Sequence, residues 1–335
     1  MCLSRQFRTG WRRRGKKAAG QIEGPYLGQA LENFSGYIAV DELYDGPWCV
    51  LSIVDNRTFR RLFCRVVEED VTQAHIVDLF TQFQKSLEQR QLQLAGITTD
   101  GSNLYPAAIQ QVFGAVPHQV CRFHVLAMIT KAAREVAVHL YKQRVAKLPK
   151  LKGGRPRKGP EEEQAERVRA EREKLLKLYR RRYTLAARNP DSQKLAELLE
   201  LLKPYPEIAA IRDIMQLVYG LYDCPSSAAA LTKLAEIRVQ AARLQDHQSM
   251  AALRSALNGP CIEKSLVFRD DRDLPSTSNA VERGNRRHRK MQKSVYRVRV
   301  KRQLERRLAM DLLREQRAVG REEVMLALHE LRNAA

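Results

Sequence analysis

The sequence predicts an α/β protein, a mixed sheet interrupted by a large all-α insertion that ends before a final helix. Three observations carry that reading. Residues 36–67 break into three short apolar and β-branched runs separated by turn residues. Residues 71–123 then alternate amphipathic and short apolar segments, in the order helix, strand, helix, strand. After residue 124 the strand signals stop, and helical periodicity continues to about residue 258.

Taken in order, residues 1–34 are basic and weakly patterned and are expected to be a flexible arm. Strands follow from Gly36 to Tyr44, Trp48 to Asp55 and Arg61 to Val67, with turns at Asp45-Gly46-Pro47 and Asn56-Arg57-Thr58. Tight turns of this kind make an antiparallel meander. A helix is predicted over roughly 71–91, because Ile76, Leu79, Phe80, Phe83 and Leu87 recur at three- and four-residue steps. Then come a strand from Leu94 to Thr99, a helix from Tyr105 to Phe113 and a strand from His118 to Phe123. This is the element order of an RNase H-like core, in which a right-handed crossover makes the fourth strand parallel to the first.

The core is thus expected to begin over 35–124 and to be interrupted by a helical insertion over 125–275. Within it, 125–146 reads as a helix, 147–160 as a basic linker rich in Lys, Gly and Pro, and Glu161 to about Arg188 as a charged helix. The alternating charges there fit a solvated face, with a dimeric coiled coil as the alternative. Residues 276–335 close the chain, with one long helix running from Asn279 past Arg317.

Lys and Arg total 59 against 38 Asp and Glu, a net charge of +21. Such an excess repels itself unless it meets a polyanion, and nucleic acid is the commonest polyanion in a cell, although ribosomal and membrane-surface proteins share this charge. Six scattered cysteines without a Cys-x-x-Cys pair read as reduced thiols. No apolar run follows the basic N-terminus, and none is long enough to span a bilayer, so a soluble cytoplasmic protein without a membrane partner is expected.

Asp41 interrupts an otherwise apolar first strand, where a carboxylate is costly unless something cationic meets it. Asp100 ends the fourth strand, just before a glycine. If those strands are neighbours, the two carboxylates converge, and hard oxygen ligands suit Mg²⁺ or Mn²⁺. Glu282 supplies a third acid, and three acids suit two ions at a phosphoryl-transfer site. The plainer alternatives are a solvent-facing strand acid, a turn-starting Asp, and a Glu that caps the helix start in Asn279-Ala-Val-Glu282. Glu282, Arg286, Arg289 and Lys293 share one helix face, which points to a row of phosphate contacts. Arg155-Pro156-Arg157, between glycines, has the form of a minor-groove segment, with a plain basic linker as the alternative.

These motifs resemble those of the DDE transposases of bacterial insertion sequences. Val40-Asp41-Glu-Leu-Tyr resembles their first-Asp strand, and Thr98-Thr-Asp100-Gly-Ser-Asn-Leu-Tyr-Pro their second-Asp motif. Gln119-Val-Cys121-Arg-Phe-His124 is similar to the Cys-x-x-His segment of Mutator-like relatives, and Ser278-Asn279-Ala-Val-Glu282-Arg-Gly-Asn285 to the closing Asn-x-x-Glu-x-x-Asn helix. The resemblance implies catalytic and metal-binding roles for Asp41, Asp100 and Glu282. It also implies DNA cleavage with strand transfer, and a homodimer or higher oligomer on DNA. His124 is implied near the active site as a DNA contact, with a core histidine as the alternative. Cys121 and His124 have metal-pair spacing, but no second local pair completes a zinc site. Relatives commonly carry a recognition module ahead of the first Asp. The 40 residues before Asp41 hold no metal pattern or clear helix-turn-helix, so a truncated copy, or recognition by the insertion and basic arms, is expected. The rival functions are a nuclease of the same fold without strand transfer, and a remnant that only binds DNA.

Overall fold

In the computed structural model, residues 26–151, 158–243, 250–293, 298 and 300–317 are described. The chain divides into two compact units, one made of 1–121 and 272–335, the other of 122–271.

The first unit is built on a five-stranded sheet of order β3-β2-β1-β4-β5. Its strands are β1 (Tyr37–Asp45), β2 (Trp48–Asp55), β3 (Arg61–Val67), β4 (Gly96–Thr99) and β5 (His118–Val120). The first three form the antiparallel meander; β1 pairs with β4, and β4 with β5, in parallel. All eight residues of β2 are buried, as expected of a strand with neighbours on both edges and cover on both faces.

One sheet face packs against the helices α1 (Leu27–Ala30), α2 (Gln73–Glu88) and α3 (Tyr105–Phe113). Ile76, Leu79, Phe80, Phe83 and Leu87 of α2 form its buried stripe and meet Ile38, Val40, Leu51 and Ile53. At its start the Thr72 backbone N–H donates to His75 Nδ1 at 3.2 Å, satisfying a group the helix leaves open. The other face is covered by α12 (Asn279–Met291) and α13 (Lys301–Arg317): Ala280 and Val281 meet Ala39 and Val54, while Leu304 and Leu308 meet Leu43, Trp48, Val50 and Val66.

The second unit is entirely helical among its described residues: α4 (Arg122–Lys147), α5 (Pro160–Arg180), α6 (Arg182–Leu185), α7 (Ser192–Leu202), α8 (Pro206–Leu221), α9 (Ser227–Arg243), α10 (Met250–Asn258) and α11 (Pro260–Lys264). Its centre is α8, whose Ile208, Ile211, Ile214, Met215, Val218 and Leu221 are buried. Arg212, also buried, donates to the carbonyls of Leu185 and Ala187, which spares a buried guanidinium the cost of unmade hydrogen bonds.

Several elements differ from the sequence reading. Residues 26–31 are not part of a flexible arm: Tyr26, Leu27, Ala30 and Leu31 are buried in the core, and the Tyr26 hydroxyl donates to the Arg61 carbonyl at 2.5 Å. The last strand stops at Val120, where the Cys121 N–H closes onto the Thr99 carbonyl at 2.7 Å, and Phe123 belongs to α4. The charged helix ends at Arg180. The closing helix is two helices, and Val298, which lies between them, is buried beside Leu43 and Leu304. Residues 1–25, and with them most of the expected arm, lie outside the described residues.

Phe80 is fully buried, its ring 5.1 Å from Phe113 and 6.3 Å from Tyr105. Phe80→Ala is expected to cost about 3–5 kcal/mol of stability, read as a lowered urea midpoint.

Candidate active site

The site begins with a register. Parallel pairing matches Tyr37 with Gly96, Ile38 with Ile97 and Ala39 with Thr98. Continued two residues onward, the same register sets Asp41 beside Asp100, at the point where β4 ends and its backbone leaves the sheet. Gly101 makes that exit, with φ of +100°, a conformation that L side chains rarely adopt. The Asp100 carboxylate then accepts the Ser102 N–H at 2.9 Å, which fixes the turn.

Asp41 and Glu42 are successive strand residues and leave β1 on opposite faces. Asp41 shares its face with Ala39 and Leu43, under α12, where the Asn285 side-chain amide donates to Asp41 Oδ2 at 2.6 Å. Glu42 leaves on the face of α3 and has the Tyr105 hydroxyl against it. Despite this, one oxygen each of Asp41, Glu42 and Asp100 lie within 4.8 Å of one another. Burial first, and then the charges of Asp100 and Asp41, push the Glu42 carboxyl up to about 7, with Tyr105 opposing the shift. Buried Asp55 is a useful contrast. Its carboxylate accepts from Ser35 and from the backbone of Arg57 and Thr58, so its charge has an internal structural use. The three clustered acids instead crowd like charge together, which a divalent cation would relieve. An all-oxygen donor set of this kind fits Mg²⁺ or Mn²⁺.

The helix α12 is held over β1 and β2 by the segment that leads into it. Thr98 Oγ1 donates to the Pro275 carbonyl at 3.0 Å, Asn56 Nδ2 to the Thr277 carbonyl at 3.1 Å, and the Ser278 N–H to Cys121 Sγ at 3.4 Å. Cys121 is therefore a buried brace for this segment. Gly96 permits the close approach, since a Cβ there would lie 2.7 Å from Leu274 Cδ1.

The buried face of α12 is Val281, Asn285 and His288. Burial lowers the His288 pKa, although Asp45, 3.4 Å away, opposes the shift. Glu282 lies one turn before Asn285 and is mostly buried, with a side chain 19% exposed. It does not cap the helix start from the third position. The N-cap is Ser278, whose hydroxyl donates to the Glu282 carboxylate at 3.2 Å. Its carboxylate is outside the tight set formed by Asp41, Glu42 and Asp100. Arg286 reaches within 3.8 Å of Glu282 and is 76% exposed; Arg289 and Lys293 are exposed as well. His124 is in the first turn of α4 in the helical unit, its ring edge-on to Phe123. Arg155 and Arg157 lie outside the described residues.

The sequence singled out Asp41 and Asp100, which the fold brings together with Glu42, a residue it did not single out, and Asn285 entered only as part of a motif. The signal for Glu42 was adjacency alone, and strand alternation argues against a shared site. β4 ends at Thr99, one residue before Asp100, and the Glu42 carboxylate meets those of Asp41 and Asp100 there. The raised Glu42 pKa has a measurable consequence. Between the ordinary 4.5 and about 7 the folded chain binds more protons than the unfolded chain, so Glu42 costs stability as pH rises through that window. In metal-free buffer the urea midpoint of wild type is expected to fall, relative to Glu42→Gln, across that interval. A gap between the two proteins that does not change with pH would count against a buried, charge-crowded Glu42.

A search among curated proteins returned no match. A family model described as transposase, of the DDE type and the ISL3 group, matches residues 45–308, more than three quarters of the chain. The matched span holds Asp100, Glu282 and Asn285 and begins four residues after Asp41. No described helix is long and apolar enough to cross a membrane. With an RNase H-like sheet, a helical insertion and this match, the chain belongs to the DDE transposase family of ISL3-type insertion sequences.

Proposed function

We propose that this chain cuts DNA at the ends of its element and joins the freed 3′-hydroxyl to target DNA, using Asp41, Asp100 and Glu282. The observation that supports this reading most is the pairing of β1 with β4, which brings two family-motif carboxylates to one strand end beside the helix that bears the third. Asp41 and Asp100 would hold or flank two Mg²⁺ or Mn²⁺ ions, with Glu282 completing the second ion's shell. When bound, the ions supply positive charge to the attacking and leaving oxygens at phosphorus.

The chain's own groups do the positioning. Asn285 fixes one oxygen of Asp41 and so orients the carboxylate. Ser278 does the same for Glu282. The exposed Arg286, Arg289 and Lys293 form a cationic row that suits the phosphates flanking the scissile bond. His124, Arg155 and Arg157 are proposed as further DNA contacts, and the working form as a homodimer or higher oligomer assembled on nucleoid DNA. The reaction needs no covalent protein–DNA intermediate, because water and then a 3′-hydroxyl serve as nucleophiles.

Asp41→Ala, Asp100→Ala and Glu282→Ala should each abolish Mg²⁺- or Mn²⁺-dependent nicking of a terminal-repeat duplex while leaving duplex binding nearly intact. Normal nicking by any of the three would remove that residue from the site. Strand transfer is read separately, as joining of a labelled 3′-OH end to a plasmid. Nicking without joining would favour a nuclease, and binding with neither product would favour a DNA-binding remnant.

A further inference from the structure

Within the helical unit, one face of α4 is unlike the rest of its surface. Lys131, Arg134, Glu135, Val138, His139 and Lys142 recur at three- and four-residue steps, opposite the buried stripe of Ile129, Ala133, Val136 and Leu140. With Arg182 and Tyr183 from α6 they line an open groove of about 430 Å³. Four cations thus face a single acid. Elsewhere in this unit, four arginines that reach across to other segments meet carboxylates: Arg144 pairs with Glu207, Arg181 with Glu197, Arg188 with Asp223 and Arg238 with Glu263. Among the described residues, Lys131, Arg134, Lys142 and Arg182 form no ion pair.

The two arginines are nonetheless held in place. The Arg134 guanidinium lies 5.0 Å from the Tyr183 ring centre, and that of Arg182 lies 4.5 Å from Tyr183 and 4.3 Å from Tyr179. Stacking on a ring orients a guanidinium and leaves most of its in-plane N–H donors free, the arrangement that suits a phosphate. Lys131 to Lys142 spans about 16 Å of helix at a rise of about 1.5 Å per residue. That length matches about five phosphates of one strand, at about 3.4 Å each along the axis.

We propose that this groove on α4 and α6 is a docking site for the phosphate backbone of duplex DNA, separate from the cationic row on α12. It rests on the reading of the chain as a DNA-processing enzyme and adds a second contact surface, carried by the insertion. The site reads charge and not sequence, because its donors are cations directed at phosphates.

The test is fluorescence anisotropy of the full chain with a labelled duplex of arbitrary sequence, over a series of salt concentrations. For Arg134→Ala/Lys142→Ala, the slope of log affinity against log salt is expected to fall by about 2, near 0.9 for each lost phosphate contact. Glu135→Gln is expected to tighten binding, a gain that misfolding would not produce. Wild-type slope and affinity in both variants would overturn the groove while leaving the functional reading intact. Absence of duplex binding by the wild type would overturn both. Retained duplex binding by the double variant, together with lost binding of polyglutamate, would overturn the proposal in favour of an acidic protein partner.

Discussion

Two carboxylates placed side by side at a strand end repel each other, and the backbone pairing of β1 with β4 holds them there regardless. The hydrogen bonds of the parallel ladder fix the register, and the register fixes which side chains are neighbours. A slip of one residue would turn Asp41 to the opposite face and lose Asn285 as its partner. The apolar residues on both sides make such a slip expensive, since Ile38 and Val40 belong to one buried cluster and Ala39 and Leu43 to two others. The buried core therefore carries the electrostatic cost of the site.

The closing helix is tied to the same strand by different means. Its sequence is among the most polar in the chain, so it cannot be held by a broad apolar stripe. It docks through two small apolar contacts, Ala280 and Val281, and through hydrogen bonds from the sheet to the segment 275–278. Asn285 then reaches Asp41 directly. A polar helix anchored at its beginning leaves its outer face free for cations. The family match covers this helix.

Glu42 shows how local rules and tertiary outcome part company. Alternation along β1 sends it away from Asp41, yet its carboxylate meets those of Asp41 and Asp100 just beyond the end of β4 at Thr99. Burial and two neighbouring charges then favour its neutral form. Asp55 carries no such tension because local N–H and O–H donors satisfy it. The contrast separates a structural acid from an acid placed where negative charge is in excess.

Much of this was legible in the sequence, because strands β1 to β3 and helices α2 and α3 are set by short-range periodicity and by turn residues. Their order alone implied the parallel β1–β4 pair and the approach of Asp41 to Asp100. The family resemblance carried by residues 278–285 pointed to the closing helix. Other features depended on contacts between residues far apart in the chain. The burial of residues 26–31, the division of the last helix at Val298, the turn of Glu42 into the acid cluster and the bond from Asn285 to Asp41 are of this kind. So is the groove on α4, a segment that reads in sequence only as a helix until α6 brings Arg182 and Tyr183 against its cations. Periodicity records which face of an element is apolar, but it does not record what that face or its opposite will meet. That is decided only when the elements pack.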